Sequence, residues 1–388
     1  MKIAFCIENF ITTRGGAEQY VNDLSSRLTA GQHEVHIFTM NSGEETRGKL
    51  RIHTVKIGPL PRFLKTLLFA IRCRKLVKDQ GFDIVHSFGR TWGMDVFQPL
   101  GGSQMAGLVG NIRSIDDFFN RGIKILTYIL SFRRMIYFYV EKIQLKEAKI
   151  VIAISAMVKG DLIRYSKLPE SKVRIVRNGV DLNRFHPRNR GLHREETRRS
   201  LGLSDQDVML IFVAHNFRLK GLQTLIRALA ELEKRQGEHN FKIGVLGAGK
   251  VRQFSALGRK LGVADKLIFI GCKEDTPSFY AAADISVHPS YYDPSALVVL
   301  EAMASGLPVI TTAYCGTSEI IKEGQEGFVV ASPSDIKLLA DRINRLADSK
   351  LRRRMGASGR LRAEEFPYSR NMREILDIYD QYIGLSGG

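Results

Sequence analysis

The sequence predicts an α/β protein built as two doubly wound parallel-sheet domains facing across a cleft. Three observations carry that expectation. Short apolar runs alternate with segments of helical period, first through the opening third and again after position 207. A highly charged stretch from Asn183 to Arg199 separates the two series. The chain has 388 residues, enough for two domains that each bury a core. Strands covered by helices on both faces read as continuous apolar runs, as these do, rather than as strict alternation.

Taken in order, Lys2–Ile7 reads as a strand, Ala17–Ala30 as a helix and Glu34–Thr39 as a strand. Asp83–Ser87 and Ala148–Ile154 are further buried runs. The second series comprises Val208–Ala214, Phe241–Leu246, Lys266–Ile270, Ile285–His288 and Val309–Thr312, with helices expected over Leu222–Leu232 and Leu297–Ser305. The domains are set at 1–177 and 178–366, the second opening at Asn178-Gly179-Val180-Asp181 and the charged stretch serving as linker. Residues 367–388 carry an amphipathic helix, a candidate to pack back on the first domain. The carboxyl ends of both sheets are then expected to line the cleft, where open α/β sheets bind ligands.

Hydrophobic residues make up 44% of the chain and its mean hydropathy is −0.11, values of a folded protein rather than a disordered one. No long uncharged apolar run occurs; the nearest, Ile123–Val140, is cut by Arg133 and Arg134. The N-terminus enters a strand pattern directly, without a signal-peptide cleavage region. Cys6, Cys73, Cys272 and Cys315 are widely separated, which predicts buried thiols in a reducing cytoplasm. The net charge of +18 calls for an anionic partner: nucleic acid, a membrane surface or a phosphorylated substrate. Arg62–Lys75 and Arg121–Lys149 interleave basic and apolar residues in a way that suits anionic headgroups, although core-facing helices with basic outer faces look the same. No basic–aromatic platform favours nucleic acid.

The chemistry concentrates around Asp293 and Glu301, eight residues apart. With Leu297–Ser305 helical, Asp293 lies on the preceding loop, within reach of a polyhydroxylated ligand, and Glu301 can read a ribose diol, since charged acceptors bind hydroxyls strongly. A dipole-complementing Asp followed by an exposed Glu is the plainer alternative. Arg14-Gly15-Gly16-Ala17-Glu18 opens the first helix, where paired glycines let backbone N–H groups approach a phosphate, or simply form a turn. Lys220 and Arg218, between a strand and a helix, can hold a leaving diphosphate or be two solvated cations. Gly247-Ala248-Gly249 follows a strand, but Arg252 stands where a dinucleotide fingerprint needs glycine, so no nicotinamide site is expected. Asp205-Gln206-Asp207 looks like a metal-binding Asp-x-Asp yet sits in a turn where Asp is common. His33 and His36 lack metal-ligand company, and no metal site is predicted.

Together these pieces resemble the retaining glycosyltransferases of family 4, of GT-B architecture, over nearly the whole chain. The resemblance rests on Gly15-Gly16-Ala17-Glu18, Gly31-Gln32-His33-Glu34-Val35, Ile152-Ala153-Ile154-Ser155, Asn178-Gly179-Val180-Asp181 and Lys220-Gly221. It continues through Gly247-Ala248-Gly249, Ala282-Ala283-Asp284, His288-Pro289-Ser290 and Glu301 to Val309. Within the family the chain looks most similar to the lipopolysaccharide core glucosyltransferase I group, on Ala4-Phe5-Cys6 and Gly93-Met94-Asp95-Val96.

That resemblance implies a donor site. Gly15 and Gly16 match the phosphate loop, Lys220 the diphosphate lysine and Glu301 the ribose glutamate. Asp293 takes the place of a glutamate that contacts the donor sugar and is one methylene shorter. Arg184 matches an arginine near the phosphates and Lys273 a basic residue near the base; Ala296, Leu297 and Val298 complete the implied donor-binding set. His215 replaces a family arginine, with Arg218 as its substitute, and no first-domain base is identifiable around Leu100-Gly101-Gly102-Ser103. The implied activity is transfer of a hexose, glucose from UDP-glucose, with retention and without a metal, through Lys220, Arg218 and Asp293. The implied acceptor is the lipopolysaccharide inner core or a related anionic glycan at the inner face of the cytoplasmic membrane. A mannosyl- or other hexosyltransferase using GDP- or UDP-sugars on another acceptor is the close alternative, and a nucleic-acid-binding protein the distant one.

Overall fold

The computed structural model describes residues 1–11, 16–43, 50–78, 80–235 and 239–386. The chain folds into two compact units. The first comprises Met1–Val109, Asp117–Arg177 and Ser369–Gly388; the second comprises Gly110–Asp116 and Asn178–Tyr368. Each unit holds one fully parallel sheet.

In the first unit the chain runs β1 (Lys2–Cys6), β2 (Asn9–Phe10), α1 (Gly16–Ala30), β3 (Glu34–Thr39), β4 (Asn41–Ser42), β5 (Arg51–Thr54), α2 (Arg62–Lys78), β6 (Ile84–Ser87) and β7 (Val96–Phe97). Then follow α3 (Gln104–Arg113), α4 (Phe118–Ile129), α5 (Phe132–Glu147), β8 (Ile150–Ala153), α6 (Ala156–Ser166) and β9 (Val173–Ile175). The sheet order is β5-β3-β1-β6-β7-β8-β9, with β2 and β4 forming a separate two-stranded ladder. Alternate residues of β1 serve the two faces: Ile3 and Phe5 pack with α1 residues, Ala4 and Cys6 with Phe69 and Cys73 of α2. The last helix of the chain spans Tyr368–Ser386 and contributes Ile375, Ile378 and Tyr379 to the first of these cores. Its Tyr379 hydroxyl lies 2.6 Å from His86 Nδ1, and Asn371 Nδ2 donates to the Arg177 carbonyl at 2.7 Å.

The second unit continues with α7 (Asn189–Ser200), β10 (Asp207–Val213), α8 (Leu222–Lys234), β11 (Asn240–Leu246), α9 (Val251–Lys260), β12 (Leu267–Gly271), α10 (Thr276–Ala282) and β13 (Ile285–His288). It ends with α11 (Leu297–Ala304), β14 (Val309–Thr312), β15 (Gly327–Val330), α12 (Ile336–Arg345) and α13 (Ser349–Ala363). The order β12-β11-β10-β13-β14-β15 reverses direction beside β10, and at such a switch point the loops after the strands diverge and leave a crevice. Val208, Leu210 and Phe212 feed one core, Met209 and Ile211 the other.

Two expectations need correction. The charged stretch Asn183–Arg199 is not a linker: most of it is the start of α7, a helix of the second unit. Its arginines are drawn inward by one buried carboxylate. Arg194 reaches Asp284 Oδ1 at 2.8 Å and Arg198 reaches Oδ2 at 3.1 Å, while Arg198 also donates to the Ala282 and Asp207 carbonyls. A compositional reading prices each Arg as solvated, whereas here the acceptors lie some 90 residues downstream, as for Arg194 and Asp284. The second correction concerns Cys272, which is exposed in the turn after β12, while Cys6, Cys73 and Cys315 are buried.

Candidate functional site

The loops following β10, β13 and β14 converge on Asp293. Gly221 caps the start of α8 with φ +86°, and a Cβ there would fall 1.9 Å from the Pro289 carbonyl oxygen, so only glycine lets the turn after β10 lie against the loop after β13. That approach sets Lys220 Nζ 2.7 Å from Asp293 Oδ2 and 3.1 Å from the Tyr292 carbonyl. His288, at the end of β13, brings Nε2 to 2.9 Å from the same carboxylate oxygen. His288 Nδ1 has no partner among the described residues, which makes Nε2–H the donor. The Asp293 backbone is held on both sides, its N–H donating to the Tyr314 carbonyl and its carbonyl accepting from Gly316 N–H at 2.8 Å. Burial opposes ionisation of Asp293, but the Lys220 ammonium and the His288 hydrogen bond outweigh it and hold the carboxyl well below the usual carboxylate range.

The second charged residue behaves differently. Glu301 lies in the second turn of α11, where the Tyr280 hydroxyl donates to Oε2 at 2.9 Å and also reaches the Val298 carbonyl. Burial pushes Glu301 above its ordinary range, against the opposing pull of Tyr280 and Arg184. Arg184 is steered by a 2.9 Å bond to the Glu274 carbonyl and by its stack on Phe185. Among the described residues no side chain caps α11, which follows Ala296 directly, so the N–H groups of Leu297 and Val298 stand at an uncapped helix start, a favourable setting for an anion.

Gly16 begins α1, while Gly15 lies outside the described residues. Arg218 is partly exposed on the turn before α8, and its guanidinium carries no ion pair among the described residues. Lys273 is exposed beside Cys272 after β12. Asp207 is buried at the start of β10 and bonded to Ser204 N–H and Lys242, a structural role that leaves no metal-binding face. His36 is not isolated, since His53 of the neighbouring strand β5 lies 2.8 Å away and Glu34, on the same strand, 2.9 Å away; even so, among the described residues no group of three His, Cys, Asp or Glu is disposed to hold a metal.

Sequence reasoning missed His288 and Tyr280 as partners, and missed Gly110–Asp116 altogether. This short segment belongs to the second unit. Gly110 abuts Tyr292, Arg113 stacks on the Tyr314 ring at 5.0 Å, and Asp116 pairs with Arg227 at 2.8 Å. Tyr292 and Tyr314 are the residues whose backbones position Lys220 and Asp293.

Residues 193–362 match the family model for glycosyl transferases group 1, and residues 14–184 match that for glycosyltransferase family 4. Over 383 residues, 98% of this chain and 96% of the relative, the sequence is 26% identical to lipopolysaccharide glucosyltransferase WaaG of Escherichia coli (strain K12). It is 31% identical to spore coat protein SA of Bacillus subtilis (strain 168) over 275 residues, 66% of this chain and 72% of that protein. Among solved structures, that of WaaG, a glycosyltransferase involved in lipopolysaccharide biosynthesis, covers 97% of this chain and 99% of its own with TM-score 0.81 at 25% identity. Sucrose-phosphate synthase from Thermosynechococcus elongatus shares the fold, with TM-score 0.78 at 23% identity over 99% of this chain and all of that one.

Proposed function

This chain belongs to the group 1 glycosyltransferases of family 4, and we propose that it moves glucose from UDP-glucose, with retention, onto a phosphorylated glycan at an anionic membrane surface. The observation that carries the donor reading is the Lys220–Asp293–His288 cluster beside the uncapped start of the helix that bears Glu301. In this reading Glu301 binds the ribose hydroxyls. The Leu297 and Val298 N–H groups, Lys220 and Arg218 receive the diphosphate, with Arg184 as a further phosphate contact and Lys273 near the base. Asp293 accepts hydrogen bonds from the hexose hydroxyls. As the glycosidic bond breaks, negative charge grows on the diphosphate, and Lys220 and Arg218 offset it where a divalent ion would otherwise be needed. The departing phosphate oxygen takes the proton of the incoming hydroxyl on the same face. Glucose and the glycan acceptor are the reading supported by the relative of the same length, a lipopolysaccharide glucosyltransferase.

Membrane association has its own support. α4 buries none of its residues; Phe118 and Phe119 at its start and Ile129, Leu130 and Phe132 around the α4–α5 turn are all more than 60% exposed. Arg121, Lys124, Arg133 and Arg134 flank them, an apolar edge with a cationic border that suits an anionic bilayer. Arg62–Lys75 supports the idea less, because α2 turns Phe69, Ala70 and Cys73 into the core. Among the described residues no helix is long and apolar enough to cross a membrane.

The test is donor binding and turnover with a panel of UDP- and GDP-sugars. UDP-glucose is expected to be preferred, and Glu301→Ala to weaken UDP by about 1.5–3 kcal/mol for each lost charged hydrogen bond. Preference for a GDP-sugar would replace the glucosyl reading by a mannosyl one. Unchanged UDP affinity in a folded Glu301→Ala variant would remove Glu301 from the site.

A further inference from the structure

On the second unit, at the amino ends of its strands and therefore at the opposite edge of the sheet from Asp293, two adjoining cavities of about 640 and 740 Å³ share Arg190, Asp284, Ser349 and Arg352. The first is also lined by Arg353 and floored by Pro187, Leu307 and Pro308, and Asp284 is the single acidic residue among those lining it. That carboxylate is already committed: its oxygens accept from Arg194, Arg198 and the Met209 N–H at 2.8–3.1 Å. Arg190 lies at longer range, 3.4 Å from Asp284, with about half its side chain exposed. Arg352 is pinned by 2.7 Å bonds to the Leu346 and Ala347 carbonyls, and Arg353 is exposed and has no ion pair among the described residues. Arg360 also lines the first cavity but is bonded to Glu364 and to the Phe185 and Ala304 carbonyls. Arg190, Arg352 and Arg353 are left to line a concave, partly apolar space whose one lining carboxylate is already paired; Asp205, Asp207 and Asp348 line only the adjoining cavity. Such a concavity focuses positive potential, and paired guanidiniums match phosphate oxygens.

We propose that this cavity is a second anion site, for a phosphomonoester carrying a small apolar or ring-shaped body, distinct from the donor-binding residues. Arg190, Arg352 and Arg353 hold the phosphate, and Leu307, Pro308 and Pro187 pack the body. The volume lies within the range of small-molecule pockets. The same chemistry is offered by a soluble phosphate ester and by a phosphate-bearing lipid headgroup, and the experiment separates them.

Calorimetry of the full chain with inorganic phosphate and phenyl phosphate, and sedimentation with phosphatidate vesicles, are compared between the wild type and Arg353→Glu. Arg353 has no ion pair to lose among the described residues, and melting temperature and UDP affinity check that both proteins are folded. Phenyl phosphate is expected to bind more tightly than inorganic phosphate and to lose about tenfold or more in affinity in Arg353→Glu, with a comparable loss in Arg190→Ala. A loss confined to vesicles would assign the site to a lipid headgroup. Absent phenyl phosphate and vesicle binding, or binding that neither substitution alters, would overturn the proposal; the latter would assign the phosphate to the donor residues.

Discussion

Gly110 offers a sharp test of how the Lys220–Asp293 pair is positioned. A Cβ at Gly110 would lie 2.4 Å from Tyr292 Cβ and 3.0 Å from the Tyr291 carbonyl oxygen. Ordinary carbon contacts are about 3.5–4.0 Å, so Gly110→Ala must move one backbone or the other by about 1 Å. Neither opposing atom sits at the free end of a side chain, so no rotamer change relieves the contact. The displaced loop carries the Tyr292 carbonyl, which accepts from Lys220 Nζ, and Asp293 is its next residue. A misplacement of about 1 Å at reacting groups costs on the order of 100-fold in turnover. Glu301 and Tyr280 stand on α11 and α10, away from the contact, so UDP affinity should change far less than turnover. Steady-state kinetics with UDP-glucose, calorimetry with UDP and a melting curve separate these effects. Gly122→Ala, where a Cβ meets nothing within 4 Å, is the control for an added methyl group. Turnover within about twofold of wild type in a folded Gly110→Ala protein would refute the positioning role.

Lys220→Ala should lower kcat more than donor affinity, by about 2.7–4 kcal/mol in the transition state, and EDTA should leave wild-type turnover in place; a raised KM with intact kcat, or full loss in EDTA, would contradict the diphosphate role. Glu141, on α5, is buried against the start of α3, and burial raises its pKa to about 7 despite the Gln104 N–H bond and the nearby Arg90. A raised folded-state value means that its contribution to stability is complete below the ordinary carboxylate range and fades as pH rises through about 7. Denaturant titrations should therefore show a loss on the order of 3 kcal/mol between acid and mildly alkaline pH that Glu141→Gln removes, and an unchanged slope in the variant would exclude Glu141 as its source. Arg133→Glu with Arg134→Glu should weaken sedimentation with anionic vesicles, each cation contributing about 1 kcal/mol, while UDP binding stays as it was; equal binding to neutral vesicles would point to a purely apolar contact.

What was legible in the sequence was whatever depends on near neighbours. Glu34–Thr39, Ile285–His288 and Val309–Thr312 appear as strands with the boundaries read from their apolar runs, because a strand buried on both faces excludes polar residues locally. The short strands β5 and β9 are interrupted by Arg51, His53 and Arg174 and were not read, and β15 was missed although Phe328, Val329 and Val330 form an apolar run, because so short a run is a weak signal. The charge-dense α7 failed for the opposite reason: its inward arginines are satisfied chiefly by Asp284 and by the Ala281, Ala282 and Ala283 carbonyls just before it, partners more than 80 residues away that no short window along the chain contains. The candidate site divides in the same way. Asp293 and Glu301 stand out within one stretch, but the partner that each carboxylate accepts from lies on another element, Lys220 for one and Tyr280 for the other.

This division gives the shorter carboxylate at position 293 a physical meaning. Its backbone is clamped between Tyr314 and Gly316, so the side chain cannot gain reach by moving the loop. Its Oδ2 already accepts from Lys220 and His288, which keeps the group ionised although it is buried. A glutamate on the same clamp would carry its charge one carbon further from the backbone and past the fixed Nε2 of His288. Asp293→Glu should therefore lose the histidine contact and shift sugar preference while leaving UDP affinity, which the proposed function assigns to Glu301, nearly constant. Competition of UDP-glucose and UDP-galactose against UDP in the variant measures this directly. An unchanged ratio of the two sugars would mean that the carboxylate at 293 does not read the hexose.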